Sequence, residues 1–263
     1  MSDYRLRLVT LLLGLLGAVS SAAAQPVAGP VASDAQGIGA TFQAAGVGDA
    51  TLWPVADVGG ASPPAYAKIV TVPTSDQSIP VPSADVSAPM VASFTARATA
   101  LVSETTSQGV RADQASAHAR SRVGSARLTL STAASAAGRP TQLWLDIEAE
   151  NVSAAAGFSR TLPAPSAVTG KVTIGSLRIA GSLLGGRVVT AAGAQAANTV
   201  LYQSPTITVI ADRQIPADVI PCPNCAVRPG GITVRAVDIA LHGALIGGRP
   251  VSGDIVLASA ATW

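Results

Sequence analysis

Along one stretch of the chain, Leu143, Leu145, Ile147 and Ala149 alternate with Trp144, Asp146, Glu148 and Glu150. This period of two predicts a strand over 141–150, with the first set in a core and the second in solvent. The same period places Ala115, Ala117, Ala119, Ser121 and Val123 opposite Ser116, His118, Arg120 and Arg122. Alanine also favours helices. Thr105, Thr106, Gly109, Gly124 and the missing 3.6-residue apolar stripe favour strands between 91 and 137. Further strands are predicted over 37–47, 51–58, 200–210 and 251–258, and Pro54 limits the second of these to a sheet edge.

Two segments, 172–187 and 232–249, read almost alike. Each is strand-like and ends in Leu-(Leu/Ile)-Gly-Gly-Arg, the second with two residues more. The likeness points to paired β units and to internal duplication. Between 59 and 90 the chain is rich in proline (Pro63, Pro64, Pro73, Pro80, Pro82 and Pro89). Proline cannot donate to a central ladder, so this segment is read as an extended wrap or linker, with a possible short strand at 69–72. The expected fold is all-β: an antiparallel β-sandwich or flattened barrel with a Pro-rich extended segment.

The first 24 residues have a basic start, an apolar run over 8–19 and a small-residue end at Ala24, the pattern of a secretory signal peptide. Residues 25–36 are expected to be a flexible N-terminus, and 37–263 a single all-β domain. Composition then narrows the function. Removing Arg5, Arg7 and Asp3 with the leader leaves 17 − 2 = 15 basic and 15 − 1 = 14 acidic residues, so no charge footprint for nucleic acid remains. No second apolar run approaches the length of a membrane span. Aromatic residues make up 3% of the chain, too few for the two girdles of an outer-membrane barrel. Val, Ile and Leu must supply most of the apolar burial.

Cys222 and Cys225 are the only cysteines, and in an exported chain they are expected to form a disulfide pinching a loop. Val227-Arg-Pro-Gly-Gly231 follows them and breaks any helix that could activate a redox thiol. His118 and His242 are the only histidines and stand apart, and no nucleophile elbow, phosphate loop or HExxH pattern is present. No catalytic residue, metal ligand or cofactor is therefore assigned. The acidic row Asp146, Glu148, Glu150, with Trp144 on the same predicted face, is the candidate ligand site. Carboxylates beside an exposed indole suit a sugar or Ca²⁺, while a solvated face neutralised by arginine explains the row as well. Trp53 is a second candidate platform.

The segments Val172–Gly181, Ala197-Asn-Thr199, 206–214, 231–241 and 252–260 resemble the closing strands of the choice-of-anchor P proteins, a bacterial secreted group. The resemblance covers roughly the C-terminal half. It implies an exported, surface-associated β protein of unknown biochemical role, and it brings no catalytic residues. No LPxTG-like signal or apolar tail precedes Trp263, so free release or a periplasmic location is expected. The leading expectation is a non-enzymatic envelope or extracellular scaffold whose partner is unknown. The alternative is a glycan or small-ligand binding module.

Overall fold

The computed structural model describes residues 31–44, 48–62, 64–81, 92–111, 114–132, 142–161, 164–217 and 230–263. They form thirteen strands: β1 (Val31–Ala44), β2 (Gly48–Val55), β3 (Val58–Ser62), β4 (Tyr66–Pro80), β5 (Ala92–Arg111), β6 (Gln114–Thr132), β7 (Leu143–Thr161), β8 (Ala167–Ala180), β9 (Val189–Ala194), β10 (Thr199–Gln203), β11 (Ile207–Ala217), β12 (Gly231–Ile246) and β13 (Arg249–Thr262). One sheet is the meander β4-β5-β6-β7-β8-β9. The other runs β10-β11-β12-β13-β1-β2, with β3 also paired to β1. All pairs are antiparallel. The sheets pack face to face as a sandwich and do not close into a barrel.

The predicted alternation is present in β6, where Ala115, Ala117, Ala119, Ser121 and Val123 are buried. Two parts of the chain are more ordered than their sequence suggested. Residues 31–36, read as a loose N-terminus, are the first half of β1 and pair with both β13 and β3. The Pro-rich segment contributes a 15-residue strand, β4, rather than only a wrap. Its prolines are tolerated because β4 is an edge strand, where one side of the backbone needs no partner. The near-repeats are two hairpins, β8–β9 and β12–β13. Each turns on a glycine pair with matching left-handed angles: φ 61 and 80 at Gly185–Gly186, φ 59 and 83 at Gly247–Gly248. The first hairpin inserts a 3-10 turn, Ser182–Leu184, before its glycines. Cys222–Cys225 lies outside the described residues.

Packing between the sheets is aliphatic and small. Phe42 of β1 and Phe94 of β5 meet across the sandwich at 5.1 Å between ring centres, tilted by 56°. Such a pair contributes about 0.5–1.5 kcal/mol beyond its buried area. Elsewhere on β5 and β6 the interior is polar: Ser103, Thr105, Ser107 and Ser121 are buried, and the Ser103 and Ser121 hydroxyls lie 3.3 Å apart.

A crease crosses each sheet. In the six-stranded sheet, pairing skips one position at Pro73, Ala100, Gly124, Asn151 and Gly175 on successive strands. Ala100 and Asn151 take left-handed angles there, with φ 51 and 50. Their left-handed backbone crowds the neighbouring strands. A Cβ on Gly124 would stand 2.7 Å from Ala100 Cβ, and one on Gly175 would stand 2.7 Å from the Glu150 carbonyl oxygen, so glycine is required at both. The seven-stranded sheet repeats the device with Ala258 (φ 51) and Asp212 (φ 50), flanked by Gly37 and Ala236. At each crease the inward set changes phase, so buried side chains there are three residues apart. Examples are Ala98 and Leu101, Val123 and Ala126, and Ala149 and Val152. The register is kept across each crease, one residue being skipped on both partner strands, and the outer face of each sheet is hollowed beside its crease.

Candidate functional site

β7 carries the predicted site, and the structure divides it. Pairing with β6 shifts between Leu130↔Leu145 and Ser131↔Leu143, leaving Trp144 as an extra residue. A bulge of one residue reverses the face of everything beyond it. Trp144 is therefore in the core at 2% exposure, and Leu143, predicted inside, is 37% exposed. Trp144 cannot stack on a ligand. It belongs to the same core cluster as Leu184 of the 3-10 turn.

Glu148 and Glu150 face outward and line the hollow beside the crease, whereas Asp146, expected in solvent, is buried at 7% exposure. Arg127 of β6 donates from Nε and Nη2 to the two Asp146 carboxylate oxygens, both at 3.2 Å. Glu148 lies 3.6 Å from Arg127 and 3.7 Å from Arg178 of β8. The register extends this into a ladder across five strands: Asp76, Arg97, Arg127, Glu148, Arg178. Asp76 accepts from Arg97 Nε at 3.2 Å. Glu150 is exposed between Ser125 and Ser176. The hollow has a volume of about 1100 Å³ and is rimmed by Thr74, Thr99, Ser125, Ser176 and Thr190. Asp76 and Glu148 within it are held by arginines, which suits recognition of a polar surface. Among the described residues, no three His, Cys, Asp or Glu gather as a metal ion would need.

The seven-stranded sheet carries a second trough that the sequence did not reveal. Two hollows, of about 210 and 400 Å³, share Arg235 and Asp254. Together they cross β2, β1, β13, β12 and β11. At one end stands Trp53, 79% exposed. Toward the other, Asp238 is buried and bound by both Arg213 and Arg235, the latter at 3.1 Å. Arg235 Nε is buried without a hydrogen-bond partner. An aspartate inside the aliphatic run Ala236–Leu241 was the available sequence signal. Its arginine partners depend on register, which the sequence does not give.

The histidines lie on the outer faces of different sheets. His118 borders a small hollow with Glu104, Arg120 and Lys171. His242 Nε2 lies 3.2 Å from the Thr208 hydroxyl. Beyond these sites, Asp34 of β1 has a carboxyl raised to a pKa of about 6, first by burial and then by the neighbouring Asp57 charge. Comparison of the chain with family models, with curated proteins and with solved structures found no match.

Proposed function

We propose that this chain is an exported β-sandwich that acts by binding, in the cell envelope or outside the cell, through the hollowed outer faces of its creased sheets. The observation that carries the reading is the ladder Asp76, Arg97, Arg127, Glu148, Arg178 along the hollow of the six-stranded sheet. Charges of both signs in fixed register, three arginines with an acid on each side of the Arg97–Arg127 pair, present a patterned polar surface, and side chains on strands hold that pattern better than loops would. The arginines occupy both Asp146 oxygens and flank Glu148, leaving these acids positioned for recognition rather than proton transfer. The leader-like first 24 residues and the likeness to choice-of-anchor P closing strands support export and a surface role.

Two measurements test this. Expressed at full length in a bacterial host, the protein should appear outside the cytosol with Gln25 as its first residue. An intact chain confined to the cytosol refutes export. The purified protein should co-sediment with envelope fractions. The Arg97→Glu/Arg127→Glu double variant, checked for folding by circular dichroism, should lose most of that sedimentation. Equal sedimentation of both proteins, or of neither, refutes binding through this face.

A further inference from the structure

We propose that the trough of the seven-stranded sheet is a binding site for a neutral oligosaccharide, with Trp53 as its stacking platform. This rests on the reading that the outer faces bind ligands, and it names one site and one ligand class.

Four observations converge on it. Trp53 is 79% exposed on β2, with Thr41, Thr51 and Gln36 beside it in the same hollow. Leaving an indole in water costs apolar hydration, which a stacked sugar face would relieve. Asp254 stands where the two hollows join, and its carboxylate has no hydrogen bond or ion pair. It is an acceptor available to sugar hydroxyls. Arg235 shares that junction with a buried Nε donor that has no partner. The buried Asp238 accepts from both Arg213 and Arg235 and fixes their guanidinium groups in place before any ligand arrives.

Charge and length select the class. Arg213 and Arg235 balance Asp238 and Asp254, two against two, so the trough is neutral overall. A neutral polyhydroxyl ligand is preferred to an acidic one. The trough crosses five strands, about 19 Å at the usual inter-strand spacing. That length suits several linked sugar rings rather than one.

The test is affinity electrophoresis of the leader-free protein through gels containing neutral polysaccharides: β-glucans, α-glucans, mannans and chitin oligomers. Acidic polysaccharides serve as the comparison. Retardation by at least one neutral polymer is expected, with Trp53→Ala weakening it at least about tenfold. Asp254→Asn should weaken it by a smaller factor. Tryptophan emission should shift on binding in the wild type and not in Trp53→Ala. Both variants replace exposed or unpaired groups, and circular dichroism checks that they remain folded. Retardation by acidic polymers alone overturns the proposal, as does equal retardation of wild type and Trp53→Ala, or none by any polymer. Envelope co-sedimentation together with no glycan retardation would leave the broader binding reading standing and remove this one.

Discussion

Asp34 is a half-buried carboxyl whose ionisation is shifted by its surroundings. Burial and the neighbouring Asp57 favour its neutral form, so its folded pKa is about 6 against an ordinary 3.8. Protons bind the folded chain more readily than the unfolded one through this window. Stability contributed by the site is therefore fully present below about pH 3.8 and is lost as pH rises through about 6. Denaturant midpoints measured from pH 4 to 7 should show this fall, and Asp34→Asn should flatten it. Two arginines hold the buried carboxylate of Asp238. Removing that charge leaves them facing each other across a gap, and Asp238→Ala should cost about 2–4 kcal/mol in chemical denaturation. At this scale the sequence was partly legible. Glu148 and Glu150 reach the outer surface as their alternation required, while Asp146 is buried beneath Arg127. Trp144 does not reach it, because the inserted residue that turns it inward leaves no mark in the alternation.

At the scale of strands, the legible signal was the existence and type of the elements, read from period two, glycine turns and proline. The creases were not read, although the apolar residues contain a trace of them. Leu101 and Ala98, or Val123 and Ala126, sit three apart where a plain strand would place them two or four apart. What fixes the crease of the six-stranded sheet is a pairing across strands: left-handed Ala100 opposite Gly124, and left-handed Asn151 opposite Gly175. That pairing predicts a non-additive cycle. Gly124→Ala drives a methyl against Ala100 and should cost about 1–3 kcal/mol. Ala100→Gly relieves a left-handed alanine and should gain up to about 1 kcal/mol. Combined, the two should be less damaging than their sum, since the second removes the methyl that the first strikes. Additive values within about 0.5 kcal/mol would show that the crowding is relaxed elsewhere.

For the whole molecule, the sandwich was legible and its closure was not. Alternation and turns imply two packed β layers, but nothing local shows that the first strand pairs with the last. In the structure β13 lies between β12 and β1. Deleting 249–263 exposes unpaired edges on both of those strands and removes Ile255, Leu257, Ala258 and Ala260 from the core. The truncated chain should show no cooperative thermal transition. A synthetic peptide of residues 249–263 should restore one by strand addition. A cooperative transition without the peptide would mean that β12 and β1 can close on each other directly.

The place of β13 also sets the order in which this protein can be made. A chain emerging from its N-terminus completes the six-stranded meander early, from neighbours along the sequence. The other sheet stays split until its final fourteen residues arrive, with β1 waiting on one side and β12 on the other. Joining β1 to β13 demands contacts across almost the whole described chain, the kind that form slowly. Folding of this sheet is thereby tied to the delivery of β13. A ribosome or a translocation channel still holding residues 249–262 holds the sandwich open.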